Sequence, residues 1–583
     1  MAVSSVKESI STARFAFVGI GVFSGMINLL ALTGSLYMLQ VYDRVVPSKS
    51  VPTLIGFTVL MALLYVAFGA LDYARMRVLS RIGLGIDRLL RERVLEAVLL
   101  LPLRVRQGLD GIQPVRDLDQ IRSFLSGMGP TALFDMPWMP IYLALVYVLH
   151  PVLGLFATVA GIALIGLTAL TEKRMRAPAK AAVHSGAARS AFGEAARRNA
   201  EVIRAMGLER RMMSQWHKLS GTFLGDQLAL SDAAGGIGSF SKMLRMLLQS
   251  GILGLGAYLA IEGELSAGSI IAASIIMSRA LAPIEIAIAN WKGFIGLRES
   301  AKRLDGLLAS LPAKGNIIDL PRPSRLLEVQ NLTVAPPGQT LPTLVNVSFK
   351  LQAGEGLGVI GASAAGKSTL VRAIVGAWMP MPRGGSVRLD GATFDQWSRE
   401  ALGRDIGYLP QDIELFEGTI AENIARLDPK PGALVIEAAR LAGIHDMIVQ
   451  MPDGYQTPIG EGGLKLSAGQ RQRLGLARAL YGDPFLVILD EPNSNLDTSG
   501  DLALTQAIAS VRARGGIIVV VAHRPSALAG LDKVLVLSKG HVQAFGPRDE
   551  VLKSVVEPVP SEAASAPRQR PAIPVFNVVG RSA

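Results

Sequence analysis

Six apolar stretches, Phe15 to Val41, Leu54 to Leu71, Ala132 to Leu149, Val152 to Leu170, Met243 to Ile261 and Ile270 to Ala289, are each long enough to cross a bilayer. The first lies too far from the initiator for a signal peptide and ends in Tyr42-Asp43-Arg44 with no small-residue cleavage site, so it is expected to be retained. Its Asn28, Thr33, Ser35 and Gln40 suit helix-to-helix packing through small polar side chains, or else the wall of a hydrated pathway. Between spans two and three, and again between four and five, the pattern turns charged and amphipathic. Ile86, Leu89, Leu90, Val94 and Ala97 recur at three- and four-residue spacing, which predicts helices running on past the headgroups. About 25 such residues would reach roughly 38 Å.

From Leu326 the pattern changes to short β-branched runs, turns and glycines, as an α/β domain requires. The expected organisation is therefore a six-helix membrane domain at 1–303, a linker at 304–325 punctuated by Pro312, Pro321 and Pro323, and an α/β domain at 326–555. The tail at 556–583 is rich in Pro, Ala and Ser and reads as disordered.

Half of the 583 residues are hydrophobic and mean hydropathy is +0.37, more apolar than a soluble enzyme needs. The absence of cysteine excludes disulfides, thiolate metal sites and a cysteine nucleophile. A formal charge of +12 would suit nucleic acid or a membrane surface, and its distribution decides between them. Arginines crowd the two long connections, from Arg75 to Arg122 and, with lysines, from Lys173 to Lys218. His150-Pro151 and Glu262-Gly263-Glu264 carry no Lys or Arg, and the first outer loop has only Arg44 and Lys49. Both termini are then expected on the cytoplasmic side, and the positive charge is topology rather than a nucleic-acid footprint.

The segment Gly361-Ala362-Ser363-Ala364-Ala365-Gly366-Lys367-Ser368-Thr369 has the spacing of a phosphate loop. Its glycines let backbone N–H groups close on phosphate oxygens, its lysine reaches the β/γ-phosphates, and its hydroxyl binds Mg²⁺. Val359-Ile360 before it and Thr369 to Arg372 after it supply the strand, loop and helix this motif needs. Leu486-Val487-Ile488-Leu489 then reads as a buried strand ending in Asp490-Glu491. At this offset Asp490 is expected to hold Mg²⁺ through water together with Ser368, and Glu491 to orient and deprotonate the water that attacks the γ-phosphate. His523 follows the run Ile517 to Ala522 and sits where a core histidine would be equally ordinary.

Leu466-Ser467-Ala468-Gly469-Gln470 resembles the signature motif of ATP-binding-cassette (ABC) proteins, with Ala468 in place of the usual second glycine. The resemblance implies an ABC exporter fold, with six transmembrane helices fused to a cytosolic α/β ABC nucleotide-binding domain. It also implies roles for single residues. His523 resembles the switch histidine at the γ-phosphate, Gln411 the Q-loop glutamine that senses Mg²⁺, and Asp497 lies in a D-loop-like Ser494-Asn495-Leu496-Asp497. Thr457 to Glu461 looks like the exporter X-loop, and transverse coupling helices would fall near Gln113 to Ser123 and Met206 to Met213. With Gly361, Ser363, Gly366, Lys367, Ser368 and Thr369 on one chain and Ser467, Gly469 and Gln470 on another, ATP would be sandwiched in a homodimer. The family's adenine-stacking aromatic has no counterpart in Leu332 to Gly338, which leaves open how the base is held.

Three phrases narrow the resemblance: Tyr37 to Ser48, Phe134-Asp135-Met136-Pro137-Trp138-Met139-Pro140, and Arg279 to Glu285 with Asn290 to Phe294. They look like the inner-membrane ATPases of type I secretion systems, in the group exporting proteases and calcium-binding-repeat proteins. That implies ATP-driven export of an unfolded secreted protein across a bacterial inner membrane. The partners implied are membrane lipid, a periplasmic adaptor (membrane fusion protein) and an outer-membrane channel. With only about fourteen residues ahead of the first span and no cysteine, leader-peptide cleavage is not expected. A lipid or glycan flippase and a non-transporting membrane ATPase would share the cassette and the six spans.

Overall fold

A computed structural model describes residues 5–104, 111–311, 320–429, 432–460, 466–522 and 525–556. The chain forms two compact units that divide between residues 313 and 314.

Among the described residues the first unit holds six helices long and apolar enough to span a membrane: Arg14–Ser48, Val51–Arg104, Gly129–Leu149, Pro151–Arg198, Glu209–Ile261 and Ala267–Ala289, here spans 1 to 6. Spans 2, 4 and 5 continue into their charged extensions without a break. Span 2 alone has 54 residues, about 81 Å at 1.5 Å per residue. None of the most apolar window of span 2 is buried inside the protein, whereas half of that of span 6 is. Span 2 therefore presents its apolar surface outward, as lipid requires, and span 6 lies among its neighbours.

Where the first transverse helix was expected after span 2, the chain forms a helix at Gln113–Leu125. Its Asp117 carboxylate accepts from Ser300 Oγ at 2.9 Å and from Arg303 Nη2 at 2.6 Å, which fastens it to the helix Trp291–Ala309. After span 4 the expectation of a helix at Met206 to Met213 is not met. The short helix there is Ala200–Ala205, and span 5 begins at Glu209. Gly207 is the reason: at φ 62° it reverses the chain, and Leu208 N–H closes back on Ile203 O at 2.9 Å.

Hydrocarbon offers no hydrogen bonds, so polar side chains inside the bundle must satisfy one another. Arg75 of span 2 and Asp135 of span 3 are both buried and meet at 3.0 Å. Asn28 of span 1 donates to Asp135 at 2.8 Å, Tyr142 Oη donates to Asn28 Oδ1 at 2.9 Å, and Arg75 also reaches Ser24 at 3.1 Å. Asn28 thus has the packing role rather than the pathway one. The other two phrases singled out in the sequence also make cross-span locks. Asp43, in a π-helical turn Val41–Val45, accepts from Ser266 Oγ at 2.7 Å and Gly268 N–H at 3.0 Å at the start of span 6. Glu285 of span 6 pairs with Arg245 of span 5 at 2.7 Å.

The second unit has two sheets. The antiparallel one orders β2-β1-β4-β5, with β1 Leu326–Val334, β2 Leu344–Gln352, β4 Ser386–Leu389 and β5 Ala392–Thr393. The larger orders β10-β9-β3-β8-β7-β6, with β3 Gly356–Gly361, β6 Ile406–Leu409, β7 Leu486–Asp490, β8 Ile517–Val521, β9 Lys533–Ser538 and β10 His541–Pro547. All but β10 run parallel. Strands buried on both faces lose the apolar-polar alternation, and β7 and β8 are buried throughout. Their side chains nonetheless divide with period two. Leu486, Ile488, Ile517, Val519 and Val521 join a core with β1, β2 and Leu370. Val487, Leu489, Ile518 and Val520 join another with Leu474, Ala477 and Ile508. The phosphate-loop strand β3 lies between β8 and β9.

Removing one partner of a buried ion pair strands the other charge, at a cost of about 3–5 kcal/mol. Asp135→Ala should therefore lower the thermal midpoint of the purified protein by several degrees, while Arg75→Met combined with Asp135→Leu should recover most of the loss. A double variant no more stable than Asp135→Ala would show that the pair's charge is not what matters.

Candidate nucleotide-binding site

The parallel strands β3, β8, β7 and β6 end on one edge of their sheet, and most of the residues assigned from sequence sit there. Gly361 closes β3 at φ 156°, where a Cβ would stand 2.3 Å from Leu537 O. Gly366 at φ 104° precedes the helix Lys367–Ile374, and a Cβ there would stand 3.0 Å from Thr343 O. No L side chain fits either position, so the loop stays tight and its N–H groups and the helix N-terminus face the same space. Ser363 is exposed on the loop. Lys367 is buried and donates from Nζ to Gly361 O at 2.9 Å and Ala362 O at 3.1 Å. Thr369 Oγ1 lies 3.1 Å from Thr343 Oγ1.

Asp490 ends β7 and is 2% exposed. Burial first, and then the adjacent Glu491, push its carboxyl up to about 6 from an ordinary 3.8, against the opposing pull of Arg372, Ser368 and Lys367. Its Oδ1 has no hydrogen-bond partner among the described residues. Glu491 follows with φ 52°, a left-handed conformation uncommon for its residue type, and its N–H donates to Val521 O at 3.1 Å. Gln411 is exposed two residues beyond β6, whose Leu409 pairs with Leu489 of β7, so the glutamine emerges beside the acidic pair. His523 lies outside the described residues, as does Glu461.

The signature is built differently. Ser467 caps the helix Ala468–Leu480 in a capping box with Gln470, each side chain accepting from the other's backbone N–H. A Cβ on Gly469 would stand 2.9 Å from Asn495 O, so this turn packs closely on the segment before Asp497. Asp497 in turn caps the helix Thr498–Ala513, held well below the usual carboxylate range chiefly by the Gly500 N–H and then by Ser499 and Arg473. Among the described residues no hydrogen bond joins Ser467, Gly469 or Gln470 to the phosphate loop of the same chain.

Sequence reading missed two residues that hold these parts in place. Gln472 donates from Nε2 to Pro492 O at 2.9 Å, tying the signature helix to the backbone just past the acidic pair. Arg426 puts its guanidinium among four carbonyls, Arg478 O at 2.9 Å, Gly403 O at 2.8 Å, Ile406 O at 3.1 Å and Ala479 O at 3.0 Å. Burial, then the neighbouring Arg478, lower it to about 10. Their partners lie 20 or more residues away, and no short motif signals them. The X-loop-like segment is paired as well: Ile420 N–H donates to Thr457 O at 3.1 Å and Ile459 N–H to Gly418 O at 3.0 Å. The turn after β1, with Gly338 at φ 71°, carries no ring for adenine.

Residues 344–494 match the ABC transporter family, and residues 17–282 match the ABC transporter transmembrane region. The chain is 51% identical over 554 residues to the type I secretion system ATP-binding protein PrsD of Rhizobium meliloti (strain 1021), covering 95% of each. It is 29% identical to the exotoxin translocation ATP-binding protein PaxB of Pasteurella aerogenes, covering 93% of this chain and 76% of that one. In fold it is similar to a bacterial Atm1-family ABC exporter with ATP bound, at TM-score 0.81 and 22% identity, over 94% of this chain and 97% of the other.

Because the raised Asp490 pKa means that the folded protein holds this proton more tightly than the unfolded chain, its ionisation costs stability above about pH 6. That cost fades as pH falls from 6 toward 4. Asp490→Asn should accordingly raise the nucleotide-free melting temperature at pH 8, with the gap closing below pH 6. A gap independent of pH would assign the effect to something other than the buried charge.

Proposed function

Since the chain belongs to the ABC transporters, in their type I secretion branch, we propose that it hydrolyses ATP to export an unfolded polypeptide across the bacterial inner membrane. The observation that carries this is identity spread over 95% of both chains with a protein named for type I secretion. It acts as a homodimer, delivering cargo to a periplasmic adaptor and an outer-membrane channel, with both termini and the cassettes cytoplasmic. The arginine-rich connections support that orientation.

In the mechanism the backbone N–H groups from Gly361 to Ser368 bind the β- and γ-phosphates. Lys367, which holds its charge over the loop carbonyls, is the nearest cation to them. Mg²⁺ fits the residues present, because a buried carboxylate oxygen of Asp490 lacks a donor and a hard divalent cation prefers oxygen ligands. Ser368, Asp490 and Gln411 would hold it, and it would supply positive charge to the phosphate oxygens. Glu491, on the same strand end, orients a water and takes its proton; His523 donates to the γ-phosphate. Ser467, Gly469 and Gln470 of one chain close over the nucleotide bound to the other. That no hydrogen bond joins them to their own phosphate loop among the described residues supports that arrangement.

Glu491→Gln should keep ATP binding and lower turnover by about 10² or more, since general-base catalysis contributes 10² to 10⁴. Near-normal hydrolysis by the variant removes Glu491 from this role.

The shared site is tested by pairing lesions. Lys367→Ala damages the phosphate loop and Gly469→Asp the signature, so a mixed dimer has one interface with both lesions and one with neither. Co-expression should recover part of the hydrolysis each homodimer lacks. In the cysteine-free background, cysteines at Ser363 and Ser467 should crosslink different subunits when ATP is added. ATP-bound, active protein that never crosslinks would count against the homodimeric site.

A further inference from the structure

A groove of about 810 Å³ opens on the outer surface of span 1. Gly21, Gly25 and the rings of Phe17, Phe134 and Trp138 line it, and its lining continues through Arg14 to Ser11 and Ile10 of the preceding helix. The walls are fixed: the rings of Phe17 and Phe134 stack at 6.0 Å between centroids, and a Cβ on Gly25 would stand 3.2 Å from Trp138. The Arg14 guanidinium lies over the ring of its neighbour Phe15 at 4.9 Å and has no carboxylate partner among the described residues.

We infer that this groove binds one anionic phospholipid, its acyl chain between Phe17 and Trp138 and its phosphate at Arg14. Three observations select this occupant. The groove belongs to a membrane-spanning helix, so what reaches its apolar walls is hydrocarbon. From Arg14 to Gly25 the helix rises about 16 Å, close to half of the roughly 30 Å hydrocarbon core, the depth of one leaflet. Arg14 is the cation among the lining residues, which matches anionic over zwitterionic lipid. This site is independent of the cargo and of the nucleotide chemistry.

The test uses full-length protein in vesicles and the fluorescence of Trp138, isolated by difference from Trp138→Phe. Brominated phosphatidylglycerol should quench it at about a five-fold lower mole fraction than brominated phosphatidylcholine, as one cation near a lipid surface contributes about 1 kcal/mol. Gly21→Leu, placed where a Cβ meets nothing within 4 Å, should fill the floor without disturbing the fold and abolish the selective quenching. Arg14→Gln should make the two lipids equivalent. Equal quenching by both lipids in the unaltered protein, persistence of selectivity in Gly21→Leu, or no quenching because a protein segment fills the groove would each overturn the assignment.

Discussion

Taking a carboxylate out of water costs several kcal/mol unless a cation or hydrogen-bond donors meet it, and both units are arranged around that cost. In the membrane unit every answer is internal. Buried Asp135 finds Arg75 and Asn28 and half-buried Glu285 finds Arg245, while the exposed Asp43 binds the first turn of span 6. The Asn28–Asp135 and Asp43–Gly268 pairings join helices far apart in sequence, so these acids help choose which spans lie side by side. In the cassette Asp490 has one oxygen with no hydrogen-bond partner among the described residues, and its pKa is raised. The same burial that is compensated within one unit is left uncompensated at this carboxylate in the other.

Much of this was legible in the sequence because the chemistry is local there. A phosphate loop is nine consecutive residues, Gly361 to Thr369, and the strand before Asp490-Glu491 announces itself by its run of apolar residues. The six spans were legible for the same reason, and the three- and four-residue spacing from Ile86 to Ala97 made the long extension of span 2 legible too. Hydropathy ends where lipid ends, whereas the helical hydrogen-bond ladder continues through the charged stalk until a residue such as Gly207 reverses the chain. The position of the short helix after span 4 was misjudged on that account.

What the sequence withheld is the pairing of distant residues. Asn28 and Asp135 are 107 positions apart and Asp43 and Gly268 are 225. A lone polar residue in an apolar span says that a partner exists without naming it. Arg426 is the counterpart in the cassette: nothing marks it among the 59 Lys and Arg residues, yet it gathers carbonyls from two distant segments, Gly403 with Ile406 and Arg478 with Ala479. The phrases that carried the resemblance to secretion ATPases include Asp43, Asp135 and Glu285, so the family likeness in the membrane half coincides with its cross-span locks.

The amide of Gln472 has a consequence for timing. It fastens the helix begun by Ser467 to the chain just beyond Glu491 and so links the strand end directly to the signature. On the paired reading, the helix that completes one nucleotide's enclosure is bolted to the residues that cleave the other. On that proposal the two sites of a dimer would share a mechanical link through this amide, so the timing of one would depend on the state of the other.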